Sequence, residues 1–141
     1  MDSNCIFCKI LNGDVPSQII HRDEKCVVFM DIQPVNPGHL LIVPIKHYSF
    51  VSDVPDDVVS HMMLLGKKMG IKLRKSQIKC EGVNFFLADG EAAMQEVMHS
   101  HLHVFPRYAG DGFGLKFSPD YYNKPPWDSI VAVGENLKSI N

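Results

Sequence analysis

The sequence has no apolar run approaching the roughly 18 residues needed to cross a bilayer. Its opening stretch, MDSNCIFCKI, lacks the basic-then-apolar order of an export signal. Neither a membrane partner nor secretion is expected, and the chain is read as cytoplasmic. Charge of one sign is missing too: a formal net charge of −2 leaves no global basic field to gather nucleic acid or anionic lipid. The one basic run, Lys67, Lys68, Lys72, Arg74, Lys75 and Lys79, reads as the solvated face of a helix rather than a nucleic-acid footprint. Repeats and low-complexity segments are absent. Cysteine is sparse: Cys5 and Cys8 make one C-x2-C pair, and Cys26 and Cys80 stand alone as buried filler. Four cysteines permit two disulfides, but a chain without an export signal favours reduced thiols or metal ligands. Gly110-Asp-Gly112-Phe-Gly114 lacks the preceding strand and following helix of a dinucleotide loop, so it is expected to be a turn.

What is present is a chain of 141 residues, 45% hydrophobic and 21% charged, which fits one domain spanning 1–141 with a buried core. Residues 5–12 are expected to form a short helix, closed by Asn12-Gly13-Asp14-Val15-Pro16. Ile19–His21 and Cys26–Met30 read as a hairpin around a polar turn. Residues 31–39, with two prolines and a glycine, must be a loop, and Leu40–Val43 a buried strand. Acids and a proline at Asp53–Asp57 announce a helix start. From there Val58, Met62, Leu65, Met69 and Leu73 recur at spacings of three and four, the stripe of a long amphipathic helix. Val83–Ala88 and Val97–Phe105 read as strands, and the tail from 116 to 141 carries a last helix on Ile130, Val133, Leu137 and Ile140. Hairpin-linked strands with one long helix make an α+β fold with a largely antiparallel sheet.

The chemistry concentrates in residues 99–107, HSHLHVFPR, where three of the seven histidines recur at every second position. On a strand, His99, His101 and His103 share one face, with Ser100, Leu102 and Val104 behind. Packing three titratable rings together without partners is costly, so they invite a functional reading. Two remain open: the rings hold a catalytic metal, or one is a nucleophile whose neighbours bind an anion. The C-x2-C pair is equally open between zinc and coincidence, because a structural zinc wants four ligands and no second such pair exists. His21 and His61 are expected at the surface.

The pattern His-x-His-x-His followed by two apolar residues and Pro-Arg resembles the histidine-triad (HIT) family of nucleotide hydrolases and transferases. Further blocks stand in family order: Cys5 to Ile10, Phe29 to Pro34, Pro37 to Pro44 with Lys46-His47, and Gly90 to Gln95 before His99. The resemblance covers about Cys5 to Arg107 and is closest to the Hint-like branch, in its zinc-bearing microbial form. It implies a HIT-like fold of about five antiparallel strands with a long helix and a short N-terminal helix, dimerising into one continuous sheet. It makes His101 the nucleophile towards the α-phosphorus of a purine nucleoside 5′-monophosphate derivative, a phosphoramidate or acyl-adenylate. The product is a nucleotidyl-histidine that water then hydrolyses. His103 and Gln95 are implied to carry phosphate charge, and Asp31 to take the ribose hydroxyls. Phe7, Ile10 and Ile32 are implied to flank the base, with His39 supporting the histidine strand within the nucleotide set. A structural Zn²⁺ is implied on Cys5, Cys8, His47 and His99.

Some positions depart from the family pattern. Ala88 stands where relatives carry Asn or Gln, with the acid Asp89 beside it. Met94 stands where relatives often have Gly, Glu96 where Hint-like relatives have Ser, and Ser100 where they are apolar. Strand alternation is expected to turn Glu96 away. Three alternatives follow: cleavage of dinucleoside polyphosphates as in the Fhit-like branch, a zinc hydrolase using all three histidines, and a nucleotide-binding protein of little catalytic power.

Overall fold

Two five-residue apolar runs form the middle of the fold, because strands without polar alternation must be covered on both faces. These are β2 (Cys26–Met30) and β3 (Leu40–Pro44), almost wholly buried in the computed structural model, which describes residues 2–140. With β1 (Ile19–Arg22), β4 (Gly82–Phe86) and β5 (Leu102–Arg107) they make a five-stranded antiparallel sheet in the order β1-β2-β3-β5-β4. The long helix α2 (Asp56–Lys75) covers one face, burying Met62, Leu65, Met69 and Leu73 against Val28, Ile42, Leu102 and Val104. The short helix α1 (Ile6–Asn12) belongs to the other face, where Phe7, Cys8 and Leu11 cluster with Val27, Phe29, Leu41 and Val43. Burying each such side chain contributes about 1.5–3 kcal/mol. Glycine lets α2 approach closely: a Cβ on Gly66 would stand 3.1 Å from the Leu102 side chain and 3.3 Å from the Phe85 ring.

Register decides where the chemistry goes. His103 pairs with Leu41, so its ring lies on the α1 face, while Leu102 and Val104 point into the α2 core. Residues up to 111 form one compact unit and residues from 112 onward a second. Within the second, Phe117 stacks on Tyr121 at 3.8 Å, and α3 (Trp127–Lys138) carries Ile130, Val133 and Leu137; Ile140 falls just beyond its end.

Two expectations need correcting. The last strand begins at Leu102, not Val97. The Ser100 N–H donates to the Tyr48 carbonyl at 2.6 Å and the His99 N–H to the Val97 carbonyl at 2.8 Å, which keeps 97–101 out of the ladder. The strand expected to reach Ala88 ends at Phe86. His21 and His61 lie part-exposed, in keeping with the surface setting expected of them, and both place Nε2 on Asp23 Oδ2, at 2.9 and 2.7 Å.

Burial alone would raise the Asp23 carboxyl, but hydrogen bonds from His61, the Cys26 and Lys25 N–H groups and His21 hold it far below the ordinary carboxylate range. A depressed carboxylate contributes stability above its unfolded pKa and loses it as pH falls through the folded value. Asp23→Asn is therefore expected to cost about 1–2 kcal/mol at pH 7 and to flatten the loss of stability below about pH 4. Urea unfolding at pH 7 and pH 3 measures this, and equal costs at both would refute it.

Candidate functional site

Each histidine of the 99–103 segment is fixed by a different backbone or ring contact, and those contacts decide which nitrogen carries the proton. His101 Nδ1 lies 2.7 Å from the His99 carbonyl. A carbonyl only accepts, so Nδ1 holds the hydrogen and Nε2 keeps its lone pair. Burial pushes His101 below the usual imidazole range, so the ring is neutral at pH 7. For His103 the order is reversed. The Val35 N–H donates to His39 Nδ1 at 3.1 Å, which leaves the His39 proton on Nε2. That proton goes to His103 Nδ1, 2.9 Å away, so His103 carries its own hydrogen on Nε2, as an outward donor. Burial pushes His103 down to about 4, so it donates as a neutral ring. The His101 and His103 rings lie 4.7 Å apart: a lone pair beside a donor.

His99 turns the other way. Its Nε2 donates to the Pro44 carbonyl at 3.0 Å, and its Nδ1 faces Cys5 Sγ at 3.5 Å and Cys8 Sγ at 3.8 Å. His47 Nδ1 lies 3.4 Å from Cys8 Sγ. All four donor atoms fall within 4.8 Å of one another. A tetrahedral ion with Zn–S and Zn–N bonds of usual length has sulfur–nitrogen edges of about 3.5 Å, so the spacing suits zinc. Donation from His99 Nε2 to a carbonyl is the outer hydrogen bond that metal-bound histidines typically make. Burial pushes the Cys8 thiol up, and Cys5 beside it adds to this.

A second donor group, Asp31, His39 and His103, also lies within 4.8 Å. It fits an ion poorly. His39 could ligate through Nε2 only by moving its proton to Nδ1, into the Val35 N–H that Nδ1 now accepts.

The remaining expected residues divide. Phe7 is buried with its ring edge-on to His101 at 5.1 Å, and Asp31 places Oδ2 3.6 Å from His39 Nε2. Ile10 is half-buried, whereas Ile32 is 91% exposed. Gln95 is buried with its carboxamide already engaged: Oε1 accepts the Gly90 N–H at 2.7 Å, and Nε2 donates to the Ser49 and Val97 carbonyls at 2.7 and 3.2 Å. Asp89 is turned to the Val51 N–H at 2.8 Å. Glu96 is exposed, and its charge favours the protonated form of His101. Residues 95–101 are not a strand, so alternation does not govern it. Met94 has φ of 70°, a left-handed conformation that costs a non-glycine residue about 1 kcal/mol. The His99 carbonyl that aims His101 was expected from the strand geometry; the groups missed from sequence are also main-chain, the Val35 N–H and the Pro44 and Tyr48 carbonyls.

Ser100 is wholly buried, and its Oγ has no hydrogen-bond partner among the described residues. Ser100→Ala removes a buried unpaired hydroxyl and is expected to stabilise the fold by about 1 kcal/mol. A thermal melt checks this, and a lowered melting temperature would refute it.

The model of the HIT domain matches residues 12–110. The chain belongs to the HIT family. A HIT-like protein of Methanocaldococcus jannaschii, itself uncharacterised, is 43% identical over 113 residues, covering 80% of this chain and 86% of its own. Among solved HIT structures, a Zn-bound histidine triad family protein from Mycobacterium smegmatis is 37% identical. It aligns with 85% of this chain and 86% of its own at a TM-score of 0.75. A histidine triad nucleotide-binding protein from Candida albicans is 32% identical, with coverages of 96% and 95% and a TM-score of 0.82. The α+β architecture and five-stranded antiparallel sheet are thus those of HIT proteins.

Proposed function

We propose that this HIT protein binds purine nucleotides and hydrolyses nucleoside 5′-monophosphate derivatives, phosphoramidates or acyl-adenylates, by way of a nucleotidyl-His101. The observation that carries the reading is the pairing of an unprotonated His101 Nε2 with a His103 Nε2–H donor 4.7 Å away between ring centres. His101 Nε2 attacks the α-phosphorus, the new P–N bond forming as the bond to the leaving group breaks. The leaving group departs with a proton from solvent. Water then attacks the same phosphorus and gives up one proton to solvent, a P–O bond replaces the histidine bond, and neutral His101 is regenerated. His103 Nε2–H meets the developing phosphate charge, which is strongest where water is excluded. Asp31 takes the ribose hydroxyls, with Phe7 and Ile10 against the base and Ile32 at its exposed rim. His39 acts through His103 by fixing its proton. Gln95 is a strut for the 90–97 loop, and any help it gives the phosphate comes through backbone N–H groups it positions.

Cys5, Cys8, His47 and His99 hold a resident Zn²⁺ in this reading, and the name of the mycobacterial neighbour supports it. A closed set of two thiolates and two imidazoles is structural. The ion ties α1 to the His99 segment, and His101 is kept from it because its Nδ1 is already bonded to a carbonyl. The nucleotide-binding name of the Candida relative supports the ligand class. Two copies are proposed to join through edge strands into one continuous sheet, with β4 available at an edge. No described helix is long and apolar enough to cross a membrane, and a cytoplasmic setting is part of the proposal.

Mass spectrometry after a rapid alkaline denaturing quench with adenosine 5′-phosphoramidate tests the chemistry, because the P–N bond of a nucleotidyl-histidine survives alkali and is lost in acid. One adenylate on the 99–107 peptide, located at His101, is expected. A label at His103, or steady turnover with no labelled enzyme at any quench time, would sink the mechanism.

A further inference from the structure

The glycine-rich stretch after β5, expected only to be a turn, holds a buried acid. The Asp111 N–H donates to the Tyr108 carbonyl at 3.2 Å, closing a tight turn whose third residue, Gly110, has φ of 78° and so favours glycine. The turn folds Asp111 back on Arg107, and its side chain is only 3% exposed. Arg107 Nε donates to Oδ2 and Nη2 to Oδ1, the latter at 2.9 Å, the fork that suits a buried carboxylate. Oδ2 also accepts Nδ2 of the buried Asn36 at 2.8 Å, and the same Nδ2 donates to the Pro106 carbonyl at 2.9 Å. Both partners only accept, so the carboxamide has a single workable orientation. These two bonds join residues 75 and 70 positions apart and tie the middle of the 31–39 loop to the end of β5.

What hangs on that tie is the order of protons along the histidines. Asn36 follows Val35, whose N–H makes His39 Nδ1 an acceptor. The Asn36 carbonyl takes the His39 N–H at 3.1 Å, and the His39 carbonyl takes the Asp31 N–H at 3.0 Å, so the loop closes on His39. Asp31 Oδ2, 3.6 Å from His39 Nε2, favours the same tautomer and belongs to the same loop. We propose that Asn36, pinned by Asp111 and Arg107, is a positioning residue: it holds the 31–39 loop where Val35 and Asp31 keep the His39 proton on Nε2 and the His103 proton turned outward. Asn36 acts through the main chain, since its amide nitrogen is spent on Pro106 and Asp111. A tie of purely structural value would add stability and leave the protons where they are without it. The worth of the proton order to catalysis rests on the role proposed above for His103; the order itself does not.

Long-range proton–nitrogen NMR spectra of the imidazoles, recorded on the full chain without substrate, read which nitrogen of each ring carries hydrogen. Wild type is expected to show Nε2–H forms of His39 and His103 at pH 7.5. Burial holds both rings below the usual imidazole range, so the same forms are expected at pH 5.5. Asn36→Leu, similar in size but without an amide, should bring Nδ1–H forms into both rings at either pH. In Asn36→Asp, two facing carboxylates break the tie at pH 7.5; at pH 5.5 they share a proton, which restores a donor towards Asp111 and with it the wild-type spectrum. Asn36→Asp is thus its own control, and the test stands even if Asn36→Leu does not fold. Against wild type at the same pH, kcat for adenosine 5′-phosphoramidate should fall about tenfold in Asn36→Leu and recover with the spectrum in Asn36→Asp. Nδ1–H forms already present in wild type, a folded Asn36→Leu with wild-type spectra, or Asn36→Asp spectra indifferent to pH would each overturn the positioning role. Changed spectra with an unchanged rate would uphold it and remove His103 from the phosphate instead.

Discussion

His101→Ala lowers turnover of adenosine 5′-phosphoramidate by at least ~10⁴-fold and leaves AMP affinity within about threefold of wild type. The size follows from proton placement. Three imidazoles stand within a few residues, yet only His101 Nε2 has a lone pair without another commitment. His99 directs its lone pair at two cysteine sulfurs, and His103 directs its own at His39, so neither can substitute. Phe7, Asp31 and His103, the nucleotide contacts proposed above, remain in the variant, so binding is expected to outlive chemistry. Steady-state rates with the phosphoramidate, beside calorimetric titration with AMP, measure both halves. A variant retaining a tenth of the wild-type rate would dismiss His101 as nucleophile. Affinity falling in step with rate would mean that His101 serves binding instead.

Removing the ion from Cys5, Cys8, His47 and His99 is expected to lower the melting temperature by more than about 10 °C, since structural zinc contributes several kcal/mol of folding free energy. The same loss follows Cys8→Ser. The four proposed ligands come from the start of α1 and the residue before it, the stretch after β3 and the segment before β5, so the proposed ion fastens three parts of the chain together. Protein still folded after chelation should keep most of its activity per folded molecule, because no catalytic step passes through the metal. Thermal melts with and without chelator, paired with rates measured well below the transition, separate the two effects. Turnover lost in proportion to metal from a protein that melts unchanged would make the ion catalytic and restore the zinc-hydrolase alternative.

Local pattern carried the frame of the fold. Continuous apolar runs marked β2 and β3, and a three-four spacing marked α2, because each reflects which face meets the core. It failed where long-range hydrogen bonds overrule periodicity. Residues 99–101 read as strand, yet the Ser100 N–H is claimed by Tyr48, 52 positions earlier in the chain. The link between His21 and His61 was not legible because Asp23, which joins them, is 38 residues from His61. The proposed metal ligands were named through resemblance, since nothing in spacing alone joins His47 to Cys5 and Cys8. Gln95 shows the limit of that route: matching the family's residue did not reveal that its carboxamide is bonded inward.

Imidazole has no inherent direction, since its proton can sit at either end, whereas a peptide group is permanently donor on one side and acceptor on the other. The Val35 N–H and the His99 and Pro44 carbonyls therefore impress a fixed polarity on rings that have none of their own. That memory resides in the path of the main chain. Withdrawing the Val35 N–H alone would leave every histidine in contact, yet free His39 to reverse, turning His103 from a ring that offers the proposed phosphate a proton into one that faces it with a lone pair.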